Sequence, residues 1–256
     1  MTDWDPEAYS RFRGLRLRPA LDLLAQVGVL PPGPVVDLGC GDGAVAPELK
    51  RRFPDMPLIG VDNSAAMLAK ADELRLYSAL HHTDIAVWSP QEPPALIFSN
   101  AALQWLPDHE TLMPRLAGYL APGGVLAVQM PGQDEAPSHR LLREVAIGMF
   151  PHTFAAPAFR IPVSAPDAYW RLLQGMGDVN AWETHYVQRM EPTTEGHPVR
   201  RFTESTAMRR IVEKLEPHQV SDFVRSYDEA LHLAYPLLPD GAALMTFRRV
   251  FFVLHL

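Results

Sequence analysis

The segment VVDLGCGDGAV, residues 35–45, decides how this chain is read. An apolar run ends in an acid and then breaks into glycines at 39, 41 and 43. Gly39, Gly41 and Ala44 satisfy the relaxed G-x-G-x-x-G/A spacing of a loop that sets a dinucleotide on the next helix. Asp62, 23 residues beyond Gly39, stands where an acid would meet ribose hydroxyls. Two details argue against a pyrophosphate. Asp37 precedes the first glycine by two residues, where a dinucleotide fold wants an apolar side chain; its carboxylate repels phosphate and suits an ammonium group. Gly43 adds freedom between the second glycine and the helix, so the backbone approaches a bulky cationic chain instead of aiming a helix end at phosphate.

Outward from this loop, short apolar runs alternate with helical stretches. VVDL (35–38) is a strand and ELKRRF lies in the helix after the turn. LIGVD (58–62) is a second strand, and Asn63 or Ser64 caps the helix AAMLAKADELRL. A third strand ends near His82–Asp84, ALIFSN (95–100) is a fourth and VLAVQM (125–130) a fifth. Asp108 starts a helix that stops at APGG, 121–124. This alternation predicts an α/β fold with a doubly wound, mostly parallel sheet. Asp62, Asp84 and Asn100 then fall on its carboxyl edge, where such sheets bind ligands. Residues 194–238 read as charged helix and FRRVFFVLHL as a late strand, so a helical lid insertion is expected over that edge.

The bulk numbers restrict the partners. The 256 residues are 47% apolar and 21% charged, with ample material for a core. A net charge of −7 argues against a general nucleic-acid binder, and an anionic substrate would need positive charge gathered locally. No run approaches the roughly 18 apolar residues of a membrane span, and the first residues lack an apolar signal segment. A cytoplasmic protein with no dedicated protein partner is expected. A single cysteine, Cys40, excludes a disulfide framework, and the ten histidines form no ligand pattern, so no metal is expected. The 25 prolines are scattered singly, as boundaries between elements.

VVDLGCGDG, GVDNSAAML, Asp84–Ile85 and the stretch before LAPGGVLAV together resemble the motif series of class I S-adenosylmethionine-dependent methyltransferases, a Rossmann-like family. The resemblance implies Gly39, Gly41 and Gly43 around the methionine moiety, with Asp37 near its amino group. It implies Asp62 on the ribose, Asn63 and Met67 near the adenine, and Asp84 with Ile85 at the adenine edge. Asn100 and Ala101 would lie near the sulfonium. S-adenosylmethionine is then the cofactor and S-adenosylhomocysteine its product.

More of the chain is similar to one subfamily, the trans-aconitate methyltransferases. Trp4, Asp5, Pro6, Tyr9 and Phe12, with Arg16, Arg18 and Pro19, match its opening. SNAALQWLPDHETLMPRLAGYLAPGGVLAVQMP (99–131), EAPSHRLLREVA (135–146), WETHYVQRM (182–190) and FTESTAMRR (202–210) continue the match. The implied division is an N-terminal helical lid (1–30), a cofactor-binding core (31–150), and a part (151–256) with the remaining strands and a helical substrate lid at about 194–238. The likeness frays at Gly132–Gln133, Phe202 and Glu204, where substrate would be selected, so the reaction type stands on firmer residues than the substrate.

A carboxylate acceptor is ionised at neutral pH and needs no general base, so catalysis rests on alignment and exclusion of water, with Trp105 and Tyr9 as aligning aromatics. The same aromatics serve equally as packing surface. A polycarboxylate needs cations, and Arg200, Arg201, Arg209 and Arg210 lie within eleven residues. Arg209 falls on the subfamily's T-[GA]-[LM]-R pattern; the others also read as a solvated basic helix face. His139 and Tyr186 are candidate donors to a substrate carboxylate, beside Arg209 and Trp105. Three other readings stay open. A neutral or hydroxyl acceptor would make His139 a base, a non-catalytic protein would bind the cofactor without turnover, and an NAD oxidoreductase is a minor possibility.

Overall fold

The computed structural model describes residues 13–154 and 163–256. Helix α1 (Arg13–Leu24) precedes strand β1 (Val35–Leu38), helix α2 (Ala46–Arg52), β2 (Leu58–Asp62), α3 (Ala65–Glu73), β3 (Ala79–His82) and β4 (Leu96–Asn100). A single 3-10 turn (Leu103–Trp105), α4 (His109–Ala117), β5 (Val125–Pro131), α5 (Pro137–Met149) and α6 (Pro166–Leu173) follow. The chain closes with β6 (Asp178–Met190), α7 (Pro198–Glu204), α8 (Arg209–Val212), α9 (Pro217–Ala234) and β7 (Ala243–His255).

The seven strands lie in the order β3-β2-β1-β4-β5-β7-β6. β1 pairs in parallel with both β2 and β4, as do β2 with β3 and β4 with β5. β7 runs antiparallel to β5. The chain direction therefore reverses its winding beside β1, and the carboxyl ends of β1, β2 and β4 open on one edge. β3 ends at His82, within the expected His82–Asp84, and Thr83 N–H still donates to the Asp62 carbonyl of β2 at 2.9 Å. β6 gave no strand signal in the sequence: exposure alternates from Trp182 to Met190, but polar Thr184 and Gln188 stand at covered positions and apolar Val187 at an exposed one, so the residue types do not alternate with it.

Register decides which side chains share a face. Val36, Leu38, Ile97, Leu126, Val128, Met130, Val250 and Phe252 face a core with Leu112, Met113 and Leu116 of α4 and Tyr169 and Leu173 of α6. Tyr169 stacks on Phe252 with ring centroids 5.1 Å apart and meets His109 Nδ1 at 2.7 Å. Burying each such side chain contributes about 1.5–3 kcal/mol. Asp37, Phe98, Asn100, Ala127 and Gln129 alternate onto the opposite face.

Two compact units are distinguished. The first holds the described residues up to Pro131, Val163–Glu183 and Arg249–Leu256. The second holds those of Gly132–Pro162 and Thr184–Arg248. Within the second, the hydroxyl of Tyr227 donates to the Ser138 carbonyl at 2.8 Å, and the Ser138 amide donates to the Tyr235 hydroxyl at 3.0 Å, joining α9 to α5. Within residues 194–238 three helices form, α7, α8 and α9, separated by turns after Glu204 and before Pro217. No helix among the described residues is long and apolar enough to cross a membrane. No group of three or more His, Cys, Asp or Glu among them is placed to hold a metal ion.

Candidate functional site

The glycine loop turns at the end of β1 because each glycine takes a backbone conformation that L side chains avoid. Gly39, Gly41 and Gly43 have φ of 78°, 55° and 77°. Gly39 and Cys40 donate their amides to the Val61 carbonyl at 2.8 and 3.0 Å, tying the loop to β2. A side chain on Gly39 would overlap Ala102 Cβ, and Ile85 Cδ1 lies 3.5 Å from the same point. The loop is thus pressed against the segment that follows β4. At Gly41 the situation is reversed: a Cβ would meet nothing within 4 Å.

Asp62 braces this turn. One carboxylate oxygen accepts from the Gly41 amide and the other from the Ser64 amide, both at 2.9 Å. Ser64, not Asn63, caps α3 by accepting from the Met67 amide at 3.3 Å. Asn63 is exposed, and its carbonyl lies 3.0 Å from His82 Nε2. Met67 and Ile85 are buried. Asp84 caps its own turn through the Ala86 amide at 2.8 Å, and Arg115 holds that turn with bonds of 2.6 and 3.0 Å to the carbonyls of Ala86 and Ile85.

Asp37 lies beneath the loop, 2% exposed, and accepts a 2.7 Å bond from the Tyr77 hydroxyl. Burial is the main cause that pushes its carboxyl up to about 7; the Tyr77 bond opposes the rise and the Asp62 charge adds to it. Burial likewise pushes the Cys40 thiol and the Tyr77 phenol up, with Asp37 as the second cause. The linkage has a definite sign. Unfolded Asp37 releases its proton near pH 3.8 and folded Asp37 only near 7, so the folded state holds the extra proton between them. Stability therefore falls as pH rises through that window. Asp37→Asn is expected to cancel about 2–3 kcal/mol of the loss between pH 5 and pH 7.5. Urea unfolding midpoints of the two proteins at both pH values check this.

Amides line the next two strand ends. Asn100 ends β4, and Ala101 after it takes φ 55°, a strained conformation for a residue with a Cβ. Its amide donates to the Gln129 carbonyl at 2.9 Å, and its carbonyl accepts from Gln104 Nε2 at 2.7 Å. Asn100 Oδ1, Gln104 Oε1 and both polar side-chain atoms of Gln129 are buried with no hydrogen-bond partner among the described residues.

The structure thus gathers Asp37, Gly39, Gly41, Asp62, Ile85, Asn100 and Ala101 at the carboxyl ends of β1, β2 and β4. Tyr77, Arg115, Gln104 and Gln129 escaped the sequence reading. Gln129 did carry a signal, as the lone amide in the apolar strand VLAVQMP. Nothing in spacing pairs Tyr77 with Asp37, 40 residues earlier. Trp105 is 38% exposed in the 3-10 turn. Tyr9, with Trp4 and Phe12, lies outside the described residues.

In the second unit, the arginine cluster divides. Arg200 is buried, its Nε bonding both carboxylate oxygens of Asp228 at 2.8 and 3.0 Å, with Glu204 and the Glu195 carbonyl as further partners. Arg201 pairs with Glu204 at 3.1 Å. These are structural ion pairs, so neither the basic face nor the clamp describes Arg200. Arg209 opens α8 half-buried, and its guanidinium makes no hydrogen bond or ion pair among the described residues. His139 Nδ1 lies 3.1 Å from Ser138 Oγ, and Tyr186 is buried in β6.

Open space at Gly41, an acid under the loop, the Asp62 carboxylate and unpartnered amide oxygens fit a cofactor with a cationic end and a hydroxyl-bearing end. Residues 9–171 match a family described as methyltransferase domain. A trans-aconitate 2-methyltransferase of Methylobacterium radiotolerans is 43% identical over 260 residues, 99% of this chain and 98% of that protein. One from Methylobacterium nodulans is 42% identical over 258 residues, with 99% and 98% covered. Among solved structures, the YcgJ protein of Bacillus subtilis shares the fold at a TM-score of 0.58 and 12% identity, covering 93% of this chain and 97% of that one. The chain belongs to the class I S-adenosylmethionine-dependent methyltransferases, in the family of the trans-aconitate 2-methyltransferases, and its cofactor is S-adenosylmethionine.

Proposed function

We propose that this protein methylates a carboxylate of trans-aconitate or a closely related small polycarboxylic acid. The observation that carries the reading is the full-length likeness to trans-aconitate 2-methyltransferases, and the chemistry of the site agrees with it. When bound, S-adenosylmethionine supplies an electrophilic methyl on a sulfonium, whose sulfur keeps the S–C electron pair as a neutral thioether. A carboxylate brings its own lone pair, so no residue of this chain has to remove a proton.

What the chain supplies is charge and alignment. Asp37 faces the cationic amino end, with Gly41 leaving open room for the methionine chain, while Gly39 and Gly43 shape the loop by letting it close on Ala102 and on Leu74 and Tyr77. A cation beside Asp37 favours its ionised form, so cofactor binding releases a proton near neutral pH. Asp62 takes the ribose hydroxyls with lone pairs left over from the Gly41 and Ser64 amides. Asn63, Met67, Asp84 and Ile85 frame the adenine, and Asn100 and Ala101 lie toward the sulfonium.

For the acid, Arg209 offers a guanidinium fork without a partner among the described residues, which suits a carboxylate not being methylated. His139, Tyr186, Trp105 and Tyr9 are assigned to the acid as donors or walls. The net charge of −7 argues against a nucleic-acid partner, and the single cysteine with the lack of a long apolar run suits a cytoplasmic enzyme acting on a small molecule. The test is Arg209→Ala in steady-state kinetics. KM for trans-aconitate is expected to rise about 30- to 100-fold, the worth of a charge-assisted bond, with KM for S-adenosylmethionine unchanged. An unchanged acid KM, together with loss of activity in His139→Ala, points instead to a hydroxyl or neutral acceptor.

A further inference from the structure

The amide of Gln129 belongs to no structural network. It is 1% exposed in the middle of the sheet, and both its Nε2 and its Oε1 lack a partner among the described residues. Folded proteins pair buried amides almost without exception, because each unpaired end carries its full desolvation cost. Gln129 stands directly beside Asn100 in the β4–β5 register and beside Phe251 in the β5–β7 register, so the three side chains share one face. That is the face of Asp37 and Phe98. Asn100 Oδ1 is also buried without a partner, as is Oε1 of Gln104, whose nitrogen holds the strained Ala101. Neighbouring strands are about 5 Å apart, so two unpaired amides project side by side.

We propose that Gln129 is the carboxylate-binding residue that seats the reacting carboxylate of the acid. The proposal rests on the carboxyl-methylation reading above and deepens it. The amide N–H donates to the carboxylate oxygen that is not methylated, and the other oxygen keeps its lone pair for the new O–C bond while the S–C pair leaves with sulfur. A neutral donor suits this position better than a guanidinium. It fixes the carboxylate without drawing charge off the nucleophilic oxygen, and it does not repel the sulfonium. Which end of the amide is nitrogen follows from the ligand, since the two ends are interchangeable by rotation.

The test uses the full chain with Gln129→Met and Gln129→Glu. Removing an unpaired amide from the core is expected to raise the melting temperature of unliganded Gln129→Met by about 2–4 °C. Its affinity for S-adenosylhomocysteine is expected to stay within twofold of the parent, which shows an intact cofactor site. Its kcat/KM for trans-aconitate is expected to fall at least 100-fold. Gln129→Glu repels the carboxylate when ionised and donates when protonated, so its activity is expected to recover as pH falls from 8 to 6, opposite to the parent. A Gln129→Met protein that keeps kcat/KM within threefold, or that melts lower, overturns the proposal and assigns the amide to buried water or to packing. If the parent esterifies no acid at all, the reaction reading falls by itself. Calorimetry of trans-aconitate with the S-adenosylhomocysteine complex then decides Gln129: binding lost in Gln129→Met upholds the seat, and binding unaffected or absent overturns it.

Discussion

Gly39→Ala is expected to lower S-adenosylmethionine affinity at least 100-fold and to cost about 3 kcal/mol of stability. Two terms add. A residue with a Cβ at φ 78° pays about 1–2 kcal/mol for the left-handed conformation. The new methyl also overlaps Ala102 Cβ, and overpacking of this kind costs about 1–3 kcal/mol. Ala102 has little room to withdraw. The residue before it, Ala101, is fixed by the Gln129 carbonyl at one end and by the Gln104 side chain at the other. Relief must come from shifting the loop or the end of β4, the two walls assigned to the methionine chain. Gly41→Ala is the control, because its Cβ would meet no atom of the described residues within 4 Å. It is expected to cost about 1 kcal/mol of stability, from backbone alone. Any larger loss of cofactor affinity in that variant then reports a ligand filling the open space. Thermal unfolding and isothermal titration of both variants separate the two effects.

Asp62→Ala is expected to weaken cofactor binding about 100-fold, some 2.7 kcal/mol, while leaving a folded protein. Its carboxylate takes the Gly41 and Ser64 amides, so its loss frees two backbone donors at a half-buried turn. Water reaches that turn, which limits the stability cost to about 1–2 kcal/mol. The remaining lone pairs are those assigned to the ribose. Asp62→Asn keeps one amide acceptor and the side-chain shape but loses the charge and one acceptor. It is expected to fall between the parent and Asp62→Ala in affinity for S-adenosylhomocysteine. Titration with that ligand checks both, and an Asp62→Ala affinity within threefold of the parent would refute the ribose assignment.

The strand ends and the glycine turn were readable because local rules govern them. An apolar run stopped by a polar residue marks a buried parallel strand, and glycines at 39, 41 and 43 mark a turn that needs positive φ. Ser64 and Asp108 were readable as caps for the same reason. What escaped depends on partners far along the chain. Asp37 was expected as a carboxylate for an ammonium group; its protonation near neutrality comes from burial, with the Asp62 charge adding to it against the opposing Tyr77 bond, none of which local spacing encodes. The arginines at 200, 201 and 209 look alike in sequence, yet Asp228 and Glu204 claim the first two and leave Arg209. Strand β6 escaped because Thr184 and Gln188 occupy its covered positions and Val187 an exposed one, so its alternating burial is not written in residue type.

The fate of one methyl group tests the carboxylate as acceptor most directly. Labelled S-adenosylmethionine in single turnover, offered trans-aconitate, cis-aconitate, isocitrate, citrate and several monocarboxylates in turn, reports the acceptor. The expected result is S-adenosylhomocysteine with a base-labile methyl ester, formed fastest from trans-aconitate and slowed in Arg209→Ala. Tight cofactor binding with no ester from any polycarboxylate would contradict the account.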